Sequence, residues 1–188
     1  TNASEMKGDN VTVSDMVNTF MLEKGKADVK SLTLHGKNTL YENYGEITAE
    51  TLMLTQRQSA FINHNRMTIG TLSLLLKNHF TNMGDLQVNT INGAGAALVN
   101  EGILRTRYGT LTYFMNHRQA LIEVFTLHGI GQNNGLLNLI TLNGQGSFHN
   151  HAQLAFKGTV DAASLLGINS FVNGGDPKSK AEISATAL

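Results

Sequence analysis

The chain has 188 residues, 41% of them hydrophobic, with 14 basic and 14 acidic side chains and no cysteine. That is enough for a sizeable core, most simply in one domain, and it excludes a disordered polar chain, a disulfide framework and a thiolate metal site. Zero net charge argues against a general binder of nucleic acid or anionic membrane, and no apolar run is long enough to insert into a bilayer.

In chain order, residues 1–28 are polar and irregular, with Val11-Thr12-Val13 as a short strand, and are expected to form an N-terminal cap or irregular first coil. The chain starts at Thr1 without a charged and apolar leader, so a processed form or an excised piece is expected. Residues 29–34 open a periodic region that continues to 175. Its unit is a phrase: a large apolar residue, Asn two positions on, Gly two further, then an apolar residue. The Asn anchors are Asn43, Asn63, Asn82, Asn100, Asn116, Asn133, Asn150 and Asn173, spaced by 20, 19, 18, 16, 17, 17 and 23. Two residues before them stand Tyr41, Phe61, Phe80, Leu98, Phe114, Gly131, Phe148 and Phe171. Two residues after stand Gly45, Asn65, Gly84, Gly102, Arg118, Gly135, Ala152 and Gly175. The preference for Gly and Asn there predicts positive φ, with Arg118 and Ala152 as exceptions.

Apolar residues follow at four and six after each anchor, as in Ile47/Ala49, Met67/Ile69 and Leu86/Val88, alternating with mostly polar ones. Period two means a strand with one face inward. Val29 to Leu34 fits the register of Ala49 to Leu54 shifted by 20, which adds a unit before Asn43. Pieces such as Asn92-Gly93-Ala94-Gly95 and Asn143-Gly144-Gln145-Gly146 read as turns or corners. The segment Gly174 to Lys180, with the chain's one proline at Pro177, reads as a breaker, leaving 176–188 as a terminal segment or linker.

A unit this short cannot bury its own apolar stripe, so units must stack. Strands one unit apart then pair in parallel, about 4.8 Å from one another. The prediction is an all-β fold: a single-stranded parallel β-helix (β-solenoid) of about eight or nine coils, right-handed by the crossover rule. Equivalent Asn residues are expected to form a ladder in which each amide donates to the next, satisfying polar groups at a buried corner.

The run F/L-x-N-x-G-x-L-x-V/T, followed in good copies by T-L-x-L, resembles the repeats of filamentous haemagglutinin and the stalks of related two-partner-secreted exoproteins, including contact-dependent growth inhibition effectors. The clearest copies are residues 61–74, 41–54 and 80–91, and the resemblance covers roughly 29–175. It implies a right-handed parallel β-helix at the bacterial cell surface, acting as an adhesin or as a rod that displays another domain. Its partner would be a receptor or glycan on a host or neighbouring cell. The amino-terminal secretion domain of that family is rich in Asn-Pro motifs. None occurs here, so an internal or carboxy-terminal segment, or a stand-alone relative, is expected.

β-Helices also carry polysaccharide-cleaving enzymes, which need two carboxylates flanking the bond. The outward positions five and seven after each anchor read Thr48/Glu50, Thr68/Gly70, Gln87/Asn89, Arg105/Arg107, Leu121/Glu123, Asn138/Ile140 and Ala155/Lys157, with no carboxylates on neighbouring coils. No enzyme, cofactor or metal site is therefore expected, and a polysaccharide-binding or polysaccharide-cleaving β-helix is the alternative. Arg105, Arg107 and Arg118 form the one local basic cluster, read either as an anion or acidic-glycan site or as a solvated face with Arg107 paired to Glu123. His64, His117 and His151 each follow an anchor, too far apart for one metal ion, and His149 and His151 alone make a weak pair. Thr110-Leu111-Thr112 occurs once and offers no repeated hydroxyl ladder. Exposed strand edges at the rod's ends leave end-to-end self-association open.

Overall fold

Alternating apolar and polar residues make strands in this computed structural model, which describes residues 2–14, 19–75, 77–159, 170–174 and 182–187. The strands are β1 (Asn2–Ser14), β2 (Thr19–His35), β3 (Leu40–Asn43), β4 (Glu46–Leu54), β5 (Ala60–Asn63), β6 (Arg66–Leu74), β7 (His79–Asn82) and β8 (Asp85–Asn100). They continue as β9 (Ile103–Asn116), β10 (Gln119–Asn133), β11 (Leu136–Gly144), β12 (Ser147–Asn150), β13 (Gln153–Thr159), β14 (Ser170–Asn173) and β15 (Glu182–Ala187). Every pairing is parallel and joins segments one repeat apart, such as Ile47 with Met67 and Met67 with Leu86. The fold is a parallel β-solenoid of about eight turns, as the repeat requires.

Residues 1–28 do more than begin the rod irregularly. β1 lies parallel beside β2 with Val11 opposite Leu32 and Val13 opposite Leu34, so it forms a further rung of the stack. The expected breaker at Gly175–Lys180, the turn residue Gly175, and the side chains of Phe156 and Lys157 lie outside the described residues.

The interior is a set of columns. Ile47, Met67, Leu86, Leu104, Ala120, Leu137 and Leu154 are all buried, and Tyr41, Phe61, Phe80, Leu98, Phe114 and Phe148 form the aromatic-rich column before the Asn corner. Phe61 and Phe80 stack with ring centroids 5.1 Å apart and planes 3° from parallel. Gly131 interrupts this column, and Phe148 of the next coil and Leu127 fill the space a side chain would take. Phe125 sits above Gly109 in the next column and meets Phe114 edge-on at 5.0 Å. One coil is small where its neighbour is large, which keeps the packing dense.

The Asn ladder forms as predicted. Seven links run Nδ2 to Oδ1 from Asn43 through Asn63, Asn82, Asn100, Asn116, Asn133 and Asn150 to Asn173, each 2.7–2.8 Å long. The amide's second hydrogen goes to backbone carbonyls of the corner, for example from Asn100 to Gly102 and to Gln119 of the next coil. From Asn43 to Asn150 the anchors are fully buried, and the ladder is how those polar groups are satisfied.

The explanation for the glycines changes. Gly45, Gly84, Gly102 and Gly135 do not have positive φ; among described glycines that conformation belongs to Gly8, Gly95, Gly144 and Gly174. A Cβ at Gly45, Gly84, Gly102 or Gly135 would instead overlap a backbone carbonyl oxygen of the coil beneath. Close stacking selects glycine at this turn. The exceptions show the effect. With Gly84, Gly102 or Gly135 in place, the next residue's N–H reaches the coil below at 2.7–2.8 Å. After Arg118 and Ala152 the same bonds lengthen to 3.3 and 3.1 Å.

A second polar corner was not anticipated. Thr39, Ser59 and Asn78 are buried four residues before their anchors. Asn78 Oδ1 accepts the Ser59 N–H at 3.1 Å and Asn78 Nδ2 donates to Leu54 at 3.0 Å, while the Ser59 hydroxyl donates to the Gly36 carbonyl. The signal was a column of small or polar residues at that offset, hidden because three different side chains share the task.

Candidate ligand groove

A long surface groove follows from the register. Outward residues five and seven after each anchor line up between coils, because the pairing places Thr48 beside Thr68, Thr68 beside Gln87 and Gln87 beside Arg105. Pairing carries the same columns back through β2 and β1, adding Asp28 and Lys30, then Lys7 and Asp9. The result is an open groove of about 1220 Å³ along one face, lined from Lys7 on β1 to Glu123 on β10. Seven rungs make it roughly 30 Å long by strand spacing.

Its lining is graded. Lys7, Asp9, Asp28, Lys30 and Glu50 alternate in sign at one end. Thr48, Thr68, Gln87 and Asn89 make an uncharged hydroxyl and amide middle. Gly70 carries no side chain, so the wall drops between Glu50 and Asn89. Arg105 and Arg107 stand at the other end.

The structure brings Arg105 and Arg107 together on one rung and leaves Arg118 out. Arg118 is exposed in the turn between β9 and β10 and does not line the groove. Nor are the other two free cations. Arg105 Nη1 meets Asp85 Oδ1 at 2.7 Å, and Arg107 Nε meets Glu123 Oε2 at 3.4 Å, the cross-strand pair expected from sequence. The Arg107 guanidinium also lies 5.2 Å from the centroid of the Tyr108 ring, within cation–π range.

One sequence-level exclusion is corrected. With β2 included, Asp28 and Glu50 do fall on neighbouring rungs, offset by two residues along the strand. Strand geometry puts their Cα atoms about 8 Å apart. In register each stands beside a lysine, Asp28 beside Lys7 and Glu50 beside Lys30. The omission arose from starting the count at Asn43, although the register of Val29 to Leu34 already reached one rung further back.

A second outward face lies around the bend after Glu50. One column reads Ser31, Thr51, Thr71, Thr90, Tyr108, Val124, Thr141, and its neighbour Thr33, Met53, Ser73, Asn92, Thr110, Thr126, Asn143. It carries no charge. Thr110 belongs to it, whereas Thr112 turns to the corner and accepts the Gly95 N–H at 2.6 Å. Hydroxyls therefore do recur, in a register the single Thr-x-Thr did not reveal, interrupted by Met53, Asn92, Val124 and Asn143.

The histidines after the anchors sit in turns. His64 stacks on Tyr44 at 4.1 Å and lies 3.3 Å from Glu42. Partial burial, then the hydrogen bond and charge of Glu42, raise the Tyr44 phenol above its ordinary value. His117 lies 3.7 Å from Glu101, and the rings of His149 and His151 are 6.3 Å apart. No group of three or more metal-ligating side chains occurs among the described residues, nor any helix long and apolar enough to cross a membrane.

No protein-family model, curated protein or solved structure matches the chain.

Proposed function

We propose that the chain is a non-enzymatic, adhesin-like or stalk segment of a secreted bacterial surface exoprotein, of the filamentous haemagglutinin type. The observation that carries this reading is the continuous amide ladder, seven links long over a single apolar core. Each link is worth about 0.5–1.5 kcal/mol, and together they bind the coils from Asn43 to Asn173 to one another. Such a coupled stack is a stiff spacer. The repeat phrase that builds it is the one by which the sequence resembles that family.

The alternative, a polysaccharide-binding or polysaccharide-cleaving β-helix, is favoured by one observation, the long polar groove. Beads coated with the folded chain test the leading reading. Attachment to bacterial or host cells, lost when the coating is heat-unfolded, is the expected result for an adhesin. No attachment removes the adhesive role and leaves the stalk. Release of new reducing or unsaturated ends from a polysaccharide overturns the non-enzymatic reading.

A further inference from the structure

We propose that the groove along β1, β2, β4, β6, β8, β9 and β10 binds an uncharged linear polysaccharide lying parallel to the rod. The inference rests on the contact role proposed above and names its ligand class.

The argument begins with charge. The groove is lined by Lys7, Lys30, Arg105 and Arg107 and by Asp9, Asp28, Glu50 and Glu123. Four positive against four negative gives a net of zero. Each arginine already faces a carboxylate, which offsets the attraction it would exert on an acidic polymer. A polyanion or polycation gains nothing from the face as a whole.

The middle of the groove then decides the chemistry. Thr48, Thr68, Gln87 and Asn89 are all exposed. They offer hydroxyls and amides, each both donor and acceptor. Hydroxyl-rich sugars match groups that both give and take hydrogen bonds. An extended peptide is a poorer fit: it docks by adding to a sheet edge or by filling apolar pockets. Here the sheet's backbone is committed to its own rungs, and the outward side chains other than Leu121 are polar or absent. Orientation follows from register, since equivalent side chains form columns along the rod axis. A polymer running along that axis meets a hydroxyl or amide at each of the middle rungs, from Thr48 through Thr68 to Gln87, about 4.8 Å apart.

The test uses the full chain with insoluble mannan and cellulose as neutral polymers, and heparin and polygalacturonate as acidic ones. Co-sedimentation and the appearance of new chain ends are measured together. Retention on a neutral polymer, changing less than about twofold between roughly 0.05 and 0.5 M salt, is expected, because screening acts on charge–charge attraction. Gln87→Ala with Asn89→Ala removes two hydrogen-bonding groups and is expected to weaken retention about tenfold. Thr68→Trp fills the middle of the groove and should abolish it with the β circular-dichroism signal intact. Arg118→Ala, outside the groove, should change nothing. Retention on acidic polymers alone, or none on any polymer, overturns the proposal and leaves the rod untouched. Neutral-polymer retention with new chain ends upholds the groove but overturns the non-enzymatic reading.

Discussion

The coils before Asn78 and those after Asp85 close the same circuit in different ways. The earlier ones are 19 or 20 residues long and leave the sheet through a turn before the short strand. Those turns place a non-glycine residue at positive φ: Asn38 at 55°, Gln58 at 63° and Lys77 at 65°. Buried Thr39, Ser59 and Asn78 hold the corner with side-chain hydrogen bonds. The later coils shorten to 16 to 18 residues as far as Asn150, and β8, β9 and β10 each run unbroken from the long face to the Asn corner. Their corner is made mostly of small residues, Ala96, Gly129 and Gly146, with Thr112 as the polar exception, its hydroxyl accepting the Gly95 N–H at 2.6 Å. A Cβ at Gly129 would overlap the Thr112 carbonyl. One design satisfies a turn with polar side chains; the other removes the turn and most of those side chains with it. The shared element is the Asn ladder, and this is why the anchor spacing can drift without the rod losing register.

The largest expected effect falls on that shared element. Asn100→Ala strands Asn116 Oδ1 in a buried corner and removes the amide's bonds to the Gly102 and Gln119 carbonyls, while Asn82 Nδ2 keeps Gly84 and Ile103 as acceptors. At about 1–3 kcal/mol for the stranded oxygen and about 0.5–1.5 kcal/mol for each carbonyl bond lost, the loss is on the order of 2–6 kcal/mol. Asn63→Ala in the earlier half should cost the same in a urea unfolding curve. A loss confined to one half would show that the ladder is not the common support. Next comes a change that separates the two designs. Gly129→Ala in the late corner should cost about 1–3 kcal/mol by overpacking, whereas Ser59→Ala at the equivalent early position loses only its bond to Gly36, about 1 kcal/mol. Equal midpoints for the two variants would break the distinction. The smallest effect is a gain. Gln58→Gly relieves a left-handed residue but loosens the unfolded chain, for a net stabilisation of about 0.5 kcal/mol. No late coil among the described residues offers an equivalent non-glycine site.

What the sequence made legible is whatever stacking forces to repeat. Asn, Phe and Leu recur because each coil needs the same group over the last, so the ladder and the columns could be read without coordinates. The glycine turns were read correctly as turns but for the wrong cause, since positive φ and a carbonyl pressed against Cα both select glycine. The exchanges at Gly109 and Gly131 could not be read at all, because each is balanced by a ring of the neighbouring coil, Phe125 and Phe148. The groove was half legible. Its outward columns follow from the phrase from Thr48 on, but one charged end lies in β1 and β2, where the phrase is absent and only pairing register shows which residues belong. Arg105, Arg107 and Arg118 looked like a cluster because they are near in sequence; a turn carries Arg118 away.

At the Asn corner the backbone has a ladder of its own. The residue after each anchor donates its N–H to the anchor carbonyl one coil earlier, from His64 to Asn43 through His151 to Asn133. The side-chain links run the other way, each Nδ2 donating to the coil that follows. The two rows of amide dipoles are therefore opposed. An α-helix accumulates partial charge at its ends as its peptide dipoles align. This corner offsets them coil by coil, so further coils could be added without building up an electrical polarity along the rod.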